Sequence, residues 1–244
     1  MGNQYKNADF WLRDDKLIQS DFLCRPQSIN ALGDVNGKNI LDIGCGEGYV
    51  CRILTRKGAK VIGIDNSKEM IAKATEMETK KPLGISYSLG DATKLEFEDK
   101  SFDKAISICV TPHLNKKETL KHFKEAFRVL KTNGLFVIGC PHPTSWKEMY
   151  HSPWWPLRYK KEEFDCNKPM PCTLVASNGT KFDVEGIPHT EEEYEKDLAE
   201  AGFCIKEKIE PLATPEDMKH FSGLWGEEAE KAFYLIYKCE KPNK

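Results

Sequence analysis

A glycine-rich turn after a short apolar run carries the strongest chemical signal in the sequence. The run reads Ile40-Leu-Asp-Ile-Gly-Cys-Gly-Glu-Gly48, and its alternating glycines let the backbone turn tightly and approach a ligand closely. Tyr49 stands where a dinucleotide-binding fingerprint requires a glycine, and the Gly-Lys-Ser/Thr of a phosphate-binding loop is absent. Asp42 adds negative charge beside the turn. The segment therefore favours a cationic or zwitterionic ligand over a pyrophosphate.

Two further acidic residues stand at the ends of the next strand-like runs. Asp65 closes the run 60–65, where a carboxylate can accept hydrogen bonds from both hydroxyls of a ribose. Asp91 lies in Gly90-Asp91-Ala92 after the third run, and its carboxylate with a neighbouring backbone N–H suits the edge of an adenine. These positions predict a ligand with a nucleoside part.

Strand-like and helix-like segments alternate from about residue 37, which is the arrangement needed to bring these residues together. The predicted strands are 39–43, 60–65, 85–89, 102–109 and 135–140, and the predicted helices are 49–56, 67–77 and 118–130. Such spacing implies right-handed crossovers and a parallel sheet buried on both faces. The fold class is therefore α/β and doubly wound, with the ligand at the carboxyl ends of the strands.

The alternation stops at residue 141. Residues 141–189 are rich in proline and aromatic residues, and Asn178-Gly179 predicts a two-residue hairpin turn within them. A capping box, Thr190 to Glu193, starts a helix that Gly202 ends, and two strands follow at 203–209 and 232–239. The predicted organisation is one domain, 1–244. Its parts are an N-terminal helical cap (1–31), a ligand-binding core (32–140), an inserted lid with a β-hairpin (141–189), and a closing helix with strands (190–244).

The chain resembles the class I S-adenosylmethionine-dependent methyltransferases, and within them the small-molecule group labelled methyltransferase type 11. The resemblance rests on five segments in the family's order and spacing: Gly44-Cys-Gly-Glu-Gly48, Ile62-Gly-Ile-Asp65-Asn-Ser67, Gly90-Asp91-Ala92, Ser101-Phe102-Asp103 and Arg128-Val-Leu-Lys-Thr-Asn-Gly134. The last departs from the family's Lys-Pro-Gly by one extra residue. The resemblance implies a mostly parallel seven-stranded sheet whose last strand is antiparallel. It also implies S-adenosylmethionine as cofactor, with S-adenosylhomocysteine as product.

The resemblance and the chemistry of the turn together assign cofactor contacts to residues at the ends of the first four strands. Gly44 and Gly46 would pass beside the methionine part, Asp65 would hold the ribose, and Cys109 and Val110 would face the sulfonium. The full set is Asp42, Gly44, Cys45, Gly46, Asp65, Asn66, Met70, Asp91, Ala92, Cys109 and Val110.

Residues for the acceptor are predicted on either side of the core. His113 follows the fourth strand and His142 follows the fifth, so each is a candidate base, with a histidine packed in a turn as the structural alternative. Aromatic residues of the N-terminal segment and lid are predicted to wall a pocket for an aromatic, apolar or cationic-amine acceptor, or else to form the lid's own core: Trp11, Trp146, Tyr150, Trp154 and Trp155. Because no His/Asp/Cys cluster has ligand spacing, the sequence predicts no metal.

The amino-acid composition excludes some classes of function. With 36 basic and 38 acidic residues and a net charge of −2, the chain lacks the overall positive electrostatic field that is typical of nucleic-acid-binding proteins. It has no apolar run long enough to span a membrane, and its nine cysteines form no CxxC pair, which predicts a reduced, cytoplasmic protein. The sequence thus predicts methyl transfer to a nitrogen or oxygen of a small molecule. The alternatives are an RNA or protein methyltransferase, a non-catalytic module that keeps the cofactor pocket, and another reaction in the same pocket.

Overall fold

Seven strands form the central sheet of the protein. The computed structural model describes residues 17–148, 158, 160–166, 168–220 and 231–243. Within these ranges the strands are β1 (Asn39–Ile43), β2 (Lys60–Asp65), β3 (Ser86–Leu89), β4 (Phe102–Ile108), β5 (Leu130–Pro141), β6 (Met170–Val175), β7 (Lys181–Gly186), β8 (Cys204–Ile209) and β9 (Tyr234–Glu240). The order in the large sheet is β3-β2-β1-β4-β5-β9-β8, and β6 pairs with β7 in a separate hairpin.

The strand directions confirm the predicted fold class. The pairs β1–β2, β2–β3, β1–β4 and β4–β5 are parallel, whereas β9 runs antiparallel to both β5 and β8. The first five strands therefore end at the same edge of the sheet, on either side of the point where the strand order reverses. Ligands of doubly wound sheets bind at that edge.

Helices begin where the sequence supplies caps. The helices are α1 (Arg25–Ala31), α2 (Tyr49–Arg56), α3 (Lys68–Lys80), α4 (Lys116–Val129), α5 (Pro143–Glu148), α6 (Glu191–Ala201) and α7 (Pro215–His220), with 3₁₀ turns at Gln19–Asp21, Thr111–His113 and Lys161–Glu163. Ser67 Oγ accepts a hydrogen bond from the amide of Met70, and Thr190 with Glu193 forms the predicted capping box. Among the helices of the described ranges, none has the length and hydropathy needed to cross a membrane.

Both faces of the sheet are covered. Ile40 and Leu41 are consecutive residues of β1 and both are fully buried, but their side chains belong to opposite apolar clusters. The cluster around Ile40 includes Leu32 and Leu54 from the α1 and α2 side, and the cluster around Leu41 includes Phe123 of α4. Burial on both faces explains why these strands read as continuous apolar runs.

The hairpin turn differs from its prediction. The amide of Gly179 donates to the carbonyl of Ala176 (2.8 Å), and the amide of Ala176 donates to the carbonyl of Thr180 (2.9 Å), which closes a three-residue loop instead of a two-residue one. Gly179 takes the left-handed position, with φ of 82°. Ser177 of this loop makes two hydrogen bonds to the backbone of Leu17: its amide donates to the carbonyl of Leu17, and its Oγ accepts from the amide of Leu17. The hairpin is thereby tied to the N-terminal segment.

Candidate active site

A cavity of 1010 Å³ lies at the carboxyl ends of β1 to β4. All the residues to which the sequence assigned a cofactor contact line this cavity: Asp42, Gly44, Cys45, Gly46, Asp65, Asn66, Met70, Asp91, Ala92, Cys109 and Val110. They come from four separate stretches of sequence. The sheet brings these stretches together because parallel strands present their carboxyl ends at one edge.

The glycine turn presents bare backbone to the cavity. Gly46 has a φ of 56°, and no heavy atom lies within 4 Å of the position that a Cβ would take there. At Gly44 a Cβ would instead overlap the side chain of Val110. The amides of Gly44 and Cys45 both donate to the carbonyl of Ile64, at 2.8 and 2.9 Å, so the turn is anchored to β2. At the glycines of this anchored turn, a ligand can approach the backbone closely.

Asp65 links the glycine turn to the start of α3. Its Oδ2 accepts from the amide of Gly46 and its Oδ1 accepts from the amide of Ser67, both at 2.9 Å. Burial raises the pKa of Asp65, against the opposing effect of these backbone donors. Because an ionised carboxylate has about four lone-pair sites, it keeps acceptor capacity for further donors from the cavity.

A buried histidine, which sequence analysis did not predict as a site residue, packs behind the edge of the cavity beside β3. His122 of α4 is fully buried, with Nδ1 3.3 Å from the carbonyl oxygen of Ala92 and Nε2 3.1 Å from Oγ of Ser107. Since a carbonyl can only accept, Nδ1 donates and Nε2 accepts from the Ser107 hydroxyl. Burial lowers the pKa of His122 to about 4, so the ring is neutral at physiological pH. It positions Ala92 and does not reach the cavity itself.

Opposite charges also line the cavity. Asp42 is buried and accepts a hydrogen bond from Sγ of Cys51 (3.1 Å), and burial raises its pKa to about 7. Arg25 is the one arginine or lysine among the described residues that line the cavity. Its Nη1 donates to Oδ1 of Asp21 (2.7 Å) and to Oγ of Ser20. Sequence analysis missed Arg25, although it placed a helical cap over this region.

Comparison with known proteins agrees with this geometry. Residues 41–138 match the family model described as "Methyltransferase domain". Residues 41–138, about 40% of the chain, are thus similar to a methyltransferase domain. The cofactor of this family is S-adenosylmethionine.

Two curated relatives and one solved structure illustrate the similarity. A sterol 24-C-methyltransferase of Eremothecium gossypii is 36% identical over 109 residues, which cover 43% of this chain and 29% of that protein. A ubiquinone biosynthesis O-methyltransferase of Bradyrhizobium diazoefficiens is 33% identical over 121 residues, covering 49% and 47%. The chain thus spans less than half the length of these relatives. The crystal structure of an S-adenosylmethionine-dependent methyltransferase from Mesorhizobium loti shares the fold, with a TM-score of 0.65 at 23% identity over 88% of this chain and 96% of that one.

A second, smaller cavity adjoins the first. It measures 80 Å³, and Arg25, Cys109 and His113 line both cavities. Cys109 directly follows β4 and has a φ of 57°, a left-handed conformation that is uncommon for a residue with a side chain. Backbone strain of this kind is concentrated at functional sites. The junction between the two cavities is where the sequence placed the sulfonium.

The two candidate histidines occupy different places in the structure. His113 lines both cavities, and burial lowers its pKa to about 4. His142 is not among the described residues that line either cavity. Its Nδ1 lies 2.7 Å from Oγ1 of Thr144, and its Nε2 lies 3.6 Å from Oε1 of Glu191. This position favours the structural alternative for His142, a histidine packed in a turn.

The predicted aromatic wall is only partly within the described residues. Trp146 of α5 is 2% exposed and lines the smaller cavity. Trp11, Tyr150, Trp154 and Trp155 lie outside the described residues. The first of them belongs to the N-terminal segment and the others to the lid. The expectation that they contact the acceptor stays a prediction.

Among the described residues, one side-chain cluster has metal-ligand chemistry that sequence spacing does not reveal. Ligand atoms of His142, Glu191 and Glu210 all lie within 4.8 Å of one another. Lys208 already supplies positive charge there, since its Nζ lies 2.7 Å from Oε2 of Glu191 and 3.9 Å from Oε1 of Glu210. Lys208 thus offsets part of the negative charge of the two glutamates.

Proposed function

We propose that the protein transfers a methyl group from S-adenosylmethionine to a nitrogen or an oxygen of a small-molecule acceptor. The observation that carries the proposal is the 1010 Å³ cavity, in which the residues assigned to each part of the cofactor meet. The family of the domain supports the cofactor, and the smaller adjoining cavity supports a small acceptor.

The adenosine part of the cofactor fits the side of the cavity formed by β2 and β3. Asp65 would accept hydrogen bonds from the ribose hydroxyls, in addition to the two backbone amides it already binds. Asn66 and buried Met70 would flank the adenine, and Asp91 with Ala92 would contact its edge. Next to this side, the open space at Gly46 leaves room for the methionine part of the cofactor.

The amino-acid part of the cofactor is a zwitterion, and it fits the charges beside the glycine turn. Asp42 would accept from the ammonium group, and Arg25 would donate to the carboxylate. Binding an ammonium favours the ionised form of Asp42, whose pKa burial raises to about 7. Without a cationic partner, a buried carboxylate at this position costs stability, which supports a ligand of this charge pattern.

When bound, the cofactor supplies a methyl group made electrophilic by a positively charged sulfur. The task of the chain is then to hold the acceptor in line with that methyl group and to exclude water. Positioning of this kind contributes up to roughly 7–11 kcal/mol in favourable cases. His113, at the junction of the two cavities, is neutral above about pH 4 and would orient the acceptor.

The curated relatives support a small-molecule acceptor, since they are named for a sterol and for ubiquinone biosynthesis. The chemical nature of the acceptor atom, nitrogen or oxygen, belongs to the proposal. So does a cytoplasmic, reducing setting, which is supported by the nine cysteines: all lie in the described ranges and none forms a disulfide.

Calorimetric titration with S-adenosylmethionine and S-adenosylhomocysteine, with NAD as control, tests the cofactor. We expect micromolar binding of the first two and none of NAD. A screen of small amines and phenols with methyl-labelled cofactor then tests transfer. Failure to bind either sulfur ligand would contradict the proposal. Cofactor binding without transfer in a broad screen would favour a non-catalytic module, and salt-sensitive RNA binding would favour a nucleic-acid substrate.

A further inference from the structure

The side chain of Gln19 is buried in the wall of the smaller cavity without hydrogen-bond partners. Gln19 is 4% exposed, and neither its Oε1 nor its Nε2 has a hydrogen-bond partner among the described residues. Most buried polar groups in proteins are paired, so an amide with both ends unpaired requires an explanation. A ligand that pairs with it in the cavity is such an explanation.

The position of Gln19 is fixed by its neighbours. Gln19 begins a 3₁₀ turn in which Oδ2 of Asp21 accepts from the amide of Ile18 (2.8 Å). Asp21 is itself paired with Arg25. Leu17, two residues earlier, is hydrogen-bonded through its backbone to Ser177 of the hairpin loop. The amide is therefore held in place by contacts on both sides of the turn.

The other groups around the cavity are mostly apolar or already paired. Ile18, Pro112, Trp146, Leu174 and Val184 supply apolar surface. Ser20 and Arg25 are hydrogen-bonded to each other. Glu185 and His113 also line the cavity. Mostly apolar walls with a few polar groups are the usual construction of a site for a small organic ligand.

We propose that the smaller cavity receives the acceptor, and that Gln19 selects a neutral acceptor group that both donates and accepts a hydrogen bond, namely a hydroxyl or a carboxamide. This inference rests on the proposed function, because it takes the adjoining larger cavity to hold the cofactor. Gln19 is assigned as a specificity-determining residue, which holds the acceptor and takes no part in the transfer.

The hydrogen-bonding capacity of the amide determines the class of ligand. The amide offers donors at Nε2 and an acceptor at Oε1. A carboxylate can only accept and an ammonium can only donate, so either would leave one end of the amide unpaired. Of the acceptors expected from the sequence, a cationic amine is therefore disfavoured and a hydroxyl-bearing ring is favoured.

The size of the cavity is consistent with the head of such a ligand. An apolar cavity of about 150 Å³ can hold benzene, so the 80 Å³ found here accommodates part of a ring. The remainder of the molecule would extend past Cys109 and His113, which line both cavities. That direction leads to the predicted place of the sulfonium.

A matched ligand series tests the proposal by calorimetry or ligand-observed NMR, with and without saturating S-adenosylhomocysteine. The probes are phenol, toluene, benzoate and benzylamine. We expect phenol to bind wild-type protein at least about tenfold more tightly than toluene, because toluene leaves the amide unpaired. In Gln19→Leu this preference should disappear, and the affinity for S-adenosylhomocysteine should stay within about threefold of wild type.

Thr119→Val is the matched control. Oγ1 of Thr119 is also buried without a hydrogen-bond partner in the described part of the chain, but Thr119 lines neither cavity. This variant should keep the phenol preference. Gln19→Met, whose unbranched side chain has nearly the same length, repeats the measurement if Gln19→Leu fails to fold.

Several outcomes would overturn the assignment of Gln19: equal binding of phenol and toluene, a phenol preference that survives in both Gln19 variants, tighter binding of benzoate or benzylamine than of phenol, or no binding of any probe. Loss of S-adenosylhomocysteine binding by the wild-type protein would instead contradict the proposed function. The phenol preference can be measured without that ligand, so the two failures are distinguishable.

Discussion

The amide of Gly46 donates a hydrogen bond of 2.9 Å to Oδ2 of Asp65, which joins the turn after β1 to the end of β2. One carboxylate thus shapes the glycine turn and also faces the cavity. Its other oxygen accepts from the amide of Ser67, the N-cap of α3. Any ligand that donates further hydrogen bonds to Asp65 is bound by a group whose orientation is already fixed.

The first prediction concerns this carboxylate. Asp65→Ala should weaken binding of S-adenosylhomocysteine by about 30- to 1000-fold, or roughly 2–4 kcal/mol, since it removes charge-assisted hydrogen bonds to the ribose. Calorimetric titration measures the change. Asp103→Ala is the control: Asp103 binds the amide of Asn39 and pairs with Lys131, each at 2.8 Å, outside the cavity. It should lower stability and leave affinity unchanged. Equal affinity of wild type and Asp65→Ala would place the ligand elsewhere.

The second prediction compares alanine substitutions at two glycines, in order to distinguish the effect of backbone strain on stability from the effect of a blocked cavity on cofactor affinity. Gly46 and Gly33 both have left-handed backbones, with φ of 56° and 68°, and both have open space at the Cβ position. Alanine at either should cost about 1 kcal/mol of unfolding free energy, because a Cβ disfavours this conformation. Only Gly46 lines the 1010 Å³ cavity, so only Gly46→Ala should weaken cofactor binding, by at least about tenfold. Denaturant unfolding and calorimetry, run on both variants, provide the comparison. Similar affinity losses for the two would indicate an indirect effect.

The central strands and the residues at their ends could be predicted from the sequence, because short runs of neighbouring residues determine them. Each of β1 and β2 is one apolar run followed by a turn or an acidic residue, and parallel topology brings such strand ends together. The predicted residues at Gly46, Asp65 and Asp91 therefore line one cavity, although nothing in the sequence measures the distance between them.

The residues that sequence analysis missed depend on tertiary packing. Arg25 and Gln19 reach the cavities because residues 17–31 are folded against the sheet and tied to the hairpin through Leu17. No periodicity in the sequence encodes that contact. His142 shows the converse case: its place between two prolines after β5 suggested a base, but the direction of its side chain is set by Thr144 and Glu191.

The third prediction follows from the buried carboxyl of Asp42. Burial raises its pKa to about 7, with Arg25 acting to lower it and Asp65 and Glu47 acting to raise it. Below that pH the protonated carboxyl no longer attracts the ammonium of the cofactor. The dissociation constant of S-adenosylmethionine should therefore rise as the pH falls below about 7, by up to about tenfold per pH unit.

Asp42→Asn tests this explanation of the pH dependence. The variant should bind more weakly at pH 8, and its affinity should vary less with pH than that of wild type. Its stability without ligand at pH 8 should increase, because a group whose pKa is raised on folding contributes least above that pKa. An unchanged pH profile in Asp42→Asn would assign the titration to another group.

The fourth prediction distinguishes the two candidate histidines. His142→Ala should lower the melting temperature, since the ring packs against Thr144 and Glu191, but should change kcat/KM less than about threefold, within the range of an indirect effect. His113→Ala should lower kcat/KM by about tenfold or more, because misplacing a reactant by 1 Å can cost about 10²-fold. Transfer of a labelled methyl group to an acceptor found in the screen measures both. A large rate loss in His142→Ala with unchanged stability would restore His142 as the base.

The last prediction concerns acid stability and the buried ring of His122. The pKa of this histidine is about 4 in the folded protein, against an ordinary value of 6.5. Between these two pH values the unfolded chain binds a proton that the folded protein does not, so the free energy of unfolding should fall as the pH is lowered through this range. The stability contributed by the neutral ring is complete above pH 6.5 and should decline by about 3 kcal/mol by pH 4.

His122→Gln isolates this contribution, because glutamine does not titrate and can still donate to the carbonyl of Ala92. Denaturant unfolding at pH 7.5 and pH 4.5 should show a smaller loss of stability in the variant than in wild type. Thr119→Val, on the same helix and equally buried, should keep the wild-type pH dependence. Since His113 titrates in all three proteins, its effect cancels in the comparison. The same decline in wild type and His122→Gln would mean that the ring is already protonated or that it is solvated well above pH 4.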